Sequence, residues 1–135
     1  MRNIGIGALF GLAQWKVEAL SIFTHLSYLQ KKYWRTFFSV AFPRLREHVG
    51  EYNPPPEAEL SDTKLAQLIC AFRICFHDTG IVLSTRENPA FRDQVFPLGV
   101  TRMSAGSSTE VGGYTGETSK NEPQFGSSLG FGNLD

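Results

Sequence analysis

Ile81-Val82-Leu83-Ser84-Thr85-Arg86-Glu87-Asn88-Pro89 decides how this chain is read. Three strongly β-forming residues stop at a small polar cluster, and Asn-Pro then supplies a helix cap followed by proline at the first helical position. A buried strand that passes through a short turn into a helix is one β/α unit. Two other stretches share the layout. Phe38-Ser39-Val40-Ala41-Phe42 leads into Pro43-Arg44-Leu45-Arg46, and Val100-Thr101-Arg102-Met103 leads into Ser104-Ala105-Gly106-Ser107. Parallel strands present their C-terminal ends on one face, so the three polar clusters are expected to meet there as a ligand site.

Working outward, residues 3–10 alternate small and apolar side chains and read as a short buried strand, with Gly5 and Gly7 permitting close approach. Leu12, Trp15, Ala19, Ile22, Phe23, Leu26, Leu29 and Tyr33 then recur at spacings of three and four, the mark of an amphipathic helix. A second strand is expected over 37–42, followed by a loop in which Pro54-Pro55-Pro56 enforces extended backbone. Ser61 caps the next helix, whose buried stripe is Leu65, Leu68, Ile69, Phe72 and Phe76, and Gly80 ends it. The third strand covers 81–84, a short helix runs from Pro89 to about Val95, and Pro97 and Gly99 break it before a fourth strand over 100–103.

The order β-α-β-α-β-α-β predicts an α/β fold with a parallel sheet. Four units in 135 residues are about half of an eight-unit barrel, which takes roughly 250 residues. Beyond Ser104 the composition turns to Gly, Ser and Thr; residues 1–115 are assigned to the partial barrel and 116–135 to a disordered tail.

Thirteen basic and thirteen acidic side chains cancel, which argues against nucleic acid and anionic membrane surfaces as partners. The apolar run at 4–13 contains three glycines and lacks a small-residue cleavage site, so it does not read as a secretion signal. No segment has the length of a membrane span, and a cytoplasmic protein is expected. Cys70 and Cys75 lie five apart in one predicted helix and are expected as two buried free thiols, without metal-ligand spacing.

Arg86 follows a buried strand and can act as a bidentate clamp for a carboxylate or phosphate. An ion pair with Glu87 or Asp93 explains it equally well. Ser104 to Ser108 offers hydroxyls and close backbone N–H groups after the last strand, a place where barrels hold anions, or is an ordinary Ser/Gly loop. Arg44, Arg46 and His48 cluster after the second strand, and no spacing rule selects among them. His25 and His77 read as helix-surface residues. No catalytic triad, paired carboxylates or HExxH pattern is present.

The motifs Ile4-Gly5-Ile6-Gly7-Ala8-Leu9-Phe10-Gly11-Leu12, Tyr28-Leu29-Gln30-Lys31-Lys32-Tyr33-Trp34, Ser39-Val40-Ala41-Phe42-Pro43-Arg44-Leu45-Arg46, Leu83-Ser84-Thr85-Arg86-Glu87 and Met103-Ser104-Ala105-Gly106-Ser107-Ser108-Thr109 occur in this order. Together with Gly112-Gly113-Tyr114 they resemble, over about residues 1–125, the C-terminal part of the 2-iminoacetate synthase family, radical S-adenosylmethionine tyrosine lyases of thiamine biosynthesis. The resemblance implies the last four strands of a radical-enzyme TIM-type barrel, with the biotin and thiamin synthesis-associated region. It also implies S-adenosyl-L-methionine and a 4Fe-4S cluster as cofactors of the full-length enzyme. In the family, reductive cleavage of S-adenosylmethionine yields a 5'-deoxyadenosyl radical that takes hydrogen from tyrosine, and Cα–Cβ scission gives p-cresol and 2-iminoacetate (dehydroglycine) for thiazole formation. Thiazole synthase is the partner so implied.

By position, the resemblance assigns Arg86 to the tyrosine carboxylate, Ser104 to the amino-acid head group, Gly7, Ala8, Leu9 and Phe10 to the adenosine pocket, and Arg44 to cofactor or substrate. The pattern is not complete. The cluster-binding C-x-x-x-C-x-x-C is missing, so the chain alone is expected to be inactive. Ala41 stands where serine is usual, Glu47 where proline is usual, and residues 126–135 depart from the family ending. The alternative reading is a non-catalytic remnant or interaction module that pairs through open sheet edges.

Overall fold

Side chains alternate between the two faces of a β-strand, and along this chain the alternation separates large from small. In a computed structural model, which describes residues 2–45 and 53–104, β1 (Asn3–Gly7), β2 (Phe37–Ala41), β3 (Gly80–Ser84) and β4 (Arg102–Ser104) form one sheet in that order. All three pairings are parallel. Phe38 and Val40 of β2 and Ile81 and Leu83 of β3 enter the core, with Ile6 of β1 packed against it. On the opposite face, the register aligns Gly5 with Ser39 and Ser39 with Gly80, and in the next row Gly7 with Ala41 and Ala41 with Val82. One face is bulky and the other nearly bare.

Three helices feed the bulky side. From α1 (Trp15–Lys32) come Ile22 and Leu26; from α2 (Asp62–Cys75), Leu65, Leu68, Ile69 and Phe72; from α3 (Pro89–Val95), Phe91 and Val95. These residues join the strand residues in one continuous core, so the helices cover one face of the sheet. Strands adjacent in sequence and in space, with helices on a common side, are the arrangement of successive units in a β/α barrel. Edge-to-face rings tie the layers together: Phe42 meets Phe10 at 6.1 Å and Phe72 at 4.9 Å between centroids. Such pairs add about 0.5–1.5 kcal/mol each beyond area burial.

Local chemistry accounts for the helix ends. The Ser61 hydroxyl accepts the Lys64 N–H at 3.3 Å, and Asn88 Oδ1 accepts the Ala90 N–H at 2.9 Å ahead of Pro89. Lys31 and Lys32 sit in the last turn of α1, favourably placed against the helix dipole. The α2 stripe is as the periodicity predicts: Leu65, Leu68, Ile69, Phe72 and Phe76 are all buried.

Several expectations shift. The first strand ends at Gly7 rather than Phe10, which returns to the sheet through an isolated parallel bridge to Arg44. Helix α1 starts at Trp15 and leaves Leu12 exposed. Gly80 does not terminate α2; Phe76 does, with its N–H on the Phe72 carbonyl at 2.8 Å, and Gly80 opens β3. The fourth strand begins two residues late because Gly99, at φ +139°, turns the chain and sends Val100 into the core. Thr101 then meets Ile81 three times: its N–H donates to the Ile81 carbonyl and its hydroxyl accepts the Ile81 N–H, both at 2.9 Å, and the hydroxyl also donates to the Ile81 carbonyl at 3.1 Å. Cys75 is exposed and Cys70 half-buried, so the expectation of two core thiols is corrected: the core stripe of α2 passes them by. Among the described residues, no helix is long and apolar enough to cross a membrane. The tail assigned to 116–135 lies outside the described residues.

This one-sided core makes a contrast testable by equilibrium urea unfolding. Leu65→Ala, at a fully buried position, should cost about 2–5 kcal/mol. Leu20→Ala, on the outer side of α1, should stay within about 0.5 kcal/mol. Equal losses would contradict the packing described.

Candidate functional site

Because β3 and β4 run parallel in the register Val82 to Arg102 and Ser84 to Ser104, both strands deliver a serine to the same C-terminal edge. The chain leaves β3 through a tight turn. The Ser84 carbonyl accepts the Glu87 N–H at 3.2 Å, and the Ser84 hydroxyl accepts the Arg86 N–H at the same distance. Asn88 then starts α3. Arg86 is exposed at this edge, and Ser104 is half-buried. The two residues predicted to act together are therefore at one end of the sheet.

Glu87 points the other way and is only 4% exposed. A carboxylate so far out of water needs a charged partner, and Arg44 provides it as a fork: Nε to Oε1 at 2.8 Å and Nη2 to Oε2 at 2.5 Å. The same guanidinium donates through Nη2 to Asp62 Oδ1 at 2.6 Å and through Nη1 to the Leu60 carbonyl at 2.9 Å. It also lies over the Phe91 ring, 5.0 Å from its centroid. Burial works against its charge, but the hydrogen bonds to Glu87 and then Asp62 outweigh that penalty, and the Arg44 pKa lies above its ordinary value. Four of the five guanidinium donors are engaged by protein acceptors.

The stretch Gly7-Ala8-Leu9-Phe10 continues the alternation of β1. Phe10 is completely buried and Ala8 packs against the core, whereas Gly7 and Leu9 are exposed. The Phe10 backbone is held at the end of β2, its N–H on the Pro43 carbonyl and its carbonyl taking the Leu45 N–H, both at 2.8 Å. The Phe10 side chain thus belongs to the core. Gly7 has its own steric reason: a Cβ there would stand 2.6 Å from the Ala41 carbonyl oxygen.

Glu87, which the sequence offers as a partner for Arg86, is held by the Arg44 fork. The sequence does not announce this, since the partners are 43 residues apart. Ser84, which organises the turn, was also missed as a site residue, and its signal is a hydroxyl at the last position of β3, on the face away from the helices and two residues before Arg86. Arg46, His48 and the Ser107-Ser108 part of the loop lie outside the described residues. His25 is exposed on α1, as its helix-surface reading requires, whereas His77 is exposed in the turn beyond α2, which ends at Cys75. Among the described residues, no group of three or more His, Cys, Asp or Glu could hold a metal ion.

The buried pair predicts unequal losses. Glu87→Ala removes the buried half of the fork and leaves the largely buried Arg44 with only the exposed Asp62 as counter-charge, and should cost about 3 kcal/mol. Asp62→Ala removes a partner that is 65% exposed and should cost at most about 1 kcal/mol. Denaturation midpoints of the two variants check the ranking.

The biotin and thiamin synthesis associated domain model matches residues 41–125. The chain is 44% identical over 113 residues to 2-iminoacetate synthase of Salmonella typhimurium and 45% identical to that of Escherichia coli, in each case over 83% of this chain. It spans about 29% of the length of these curated relatives. Among solved structures it is similar to the FeFe-hydrogenase maturase HydG from Carboxydothermus hydrogenoformans, with TM-score 0.69 and 39% identity, over 83% of this chain and 26% of that one. A second HydG crystal structure gives TM-score 0.68 and 32% identity, over 79% and 24%.

Proposed function

The chain belongs to the biotin and thiamin synthesis associated domain family, and from that premise we propose that it forms the substrate-gripping part of a radical S-adenosylmethionine lyase that splits the Cα–Cβ bond of tyrosine to 2-iminoacetate and p-cresol. The observation that carries the reading is the pairing of Ser84 with Ser104, which sets the Arg86 turn beside the end of β4. A guanidinium and a hydroxyl at the mouth of a parallel sheet suit the carboxylate and amino group of an amino acid. Relatives named for producing 2-iminoacetate support this choice of substrate class.

In this reading Arg86 pairs with the tyrosine carboxylate and holds the molecule by two parallel N–H bonds. Ser104 hydrogen-bonds the head group and limits its rotation. Gly7 and Leu9, on the open face of the β1 extension, offer a flat, weakly polar surface suited to adenosine; Ala8 and Phe10 back it from the core. S-adenosylmethionine together with a 4Fe-4S cluster would supply the hydrogen-abstracting radical when both are bound. The described residues do not fit such a cluster, so its ligands come from elsewhere in the active enzyme. Thiazole synthase is the natural consumer of the imine product. A second reading, a non-catalytic module, draws on the exposed β1 edge and on Leu20 and Val17 of α1.

The test uses a chimera in which this chain replaces the matched segment of the Escherichia coli relative. An active chimera separates the two readings. Arg86→Ala in it should raise the KM for tyrosine by roughly ten- to a hundredfold, the loss of about 1.5–3 kcal/mol that a charge-assisted bond carries. Ser104→Ala should have a smaller effect, about 0.5–1.5 kcal/mol. Unchanged tyrosine affinity and turnover in Arg86→Ala would remove the clamp from the proposal.

A further inference from the structure

The turn that carries Arg86 is pinned on both sides. Before it, Ser84 holds the Arg86 N–H with its hydroxyl and the Glu87 N–H with its carbonyl, each at 3.2 Å. After it, the Glu87 carboxylate is gripped by Arg44 at 2.8 and 2.5 Å. Arg44 itself is anchored to three separate elements: the Leu60 carbonyl, Asp62 in the first turn of α2, and the Phe91 ring of α3. A neighbour fixed this firmly leaves the backbone at position 86 little room to shift.

We infer that Arg44 is a positioning residue for Arg86, acting through Glu87: its planar fork sets where the 84–87 turn sits at the sheet edge. The inference rests on the reading of Arg86 as the tyrosine carboxylate clamp and adds a residue to it. Two observations favour this role over direct contact of Arg44 with a ligand. Four of its five donors already serve protein acceptors, and its side chain is only 12% exposed. The fork is also what the job requires. A lysine keeps the positive charge near Glu87 but, as a single compact ammonium, does not reproduce two parallel bonds in one plane. Misplacement of a binding group by about 1 Å is enough to cost up to roughly a hundredfold in rate or affinity.

The experiment compares Arg44→Lys and Glu87→Gln with Arg86→Ala in the same reconstituted chimera, measuring KM for tyrosine and for S-adenosylmethionine. Each of the first two should raise the tyrosine KM at least about tenfold while leaving the KM for S-adenosylmethionine within about twofold. Neither should add further loss in an Arg86→Ala background, because the group being positioned is already gone. Should Arg44→Lys fail to fold, the isosteric Glu87→Gln carries the same test. The inference is overturned if the tyrosine KM stays put in folded variants, if the S-adenosylmethionine KM rises instead, or if the losses add to that of Arg86→Ala. If Arg86→Ala alone leaves the tyrosine KM unchanged, the clamp reading is what fails, and the positioning role falls with it.

Discussion

Alternation along β2 and β3 is the constraint from which the remaining architecture follows. Phe38, Val40, Ile81 and Leu83 can all reach the helices only in one register. A slip of one residue would bury Ser39 and Ala41 in their place and turn the large side chains outward. Hydrophobic burial, at about 1.5–3 kcal/mol for each large side chain, therefore selects the pairing. The same pairing, carried one strand further, sets Ser84 opposite Ser104 and brings the Arg86 turn to the end of β4. The site is thus specified by residues on the far side of the sheet from it.

Electrostatics supplies what packing leaves open. The strands end in loops, and loops are not held by alternation. Arg44 links the end of β2 to the turn after β3 and to the start of α2 with hydrogen bonds made at one guanidinium. The charged knot lies against the core at the buried Phe91 ring, where low dielectric strengthens it. Its raised pKa states the same fact from the proton's side: the fold holds this group in its charged form.

Most of the fold was legible because it depends on short-range periodicity. The α2 stripe, the Ser61 cap and the Asn88-Pro89 start are each contained within a few residues, and each appears where expected. What was not legible depends on partners distant in sequence. The start of β4 is displaced because Gly99 adopts a left-handed conformation against Arg73, whose guanidinium donates to the Gly99 carbonyl at 2.6 Å from 26 residues away. The Arg44 and Glu87 pairing spans 43 residues, and local pattern offered Glu87 to Arg86 as readily. Phe10 read as part of a ligand-lining strand, and its side chain lies in the core because the alternation of β1 persists past Gly7 to the bridge with Arg44.

Each strand of the sheet lies beside the one made immediately before it, and no later strand has to be threaded between two earlier ones. For a chain emerging from the ribosome this means that β2, β3 and β4 each find a template already laid down. Growth from β1 to β4 proceeds on one side of the sheet, and on that side each strand waits for its neighbour only as long as it takes to synthesise one helix and the next strand.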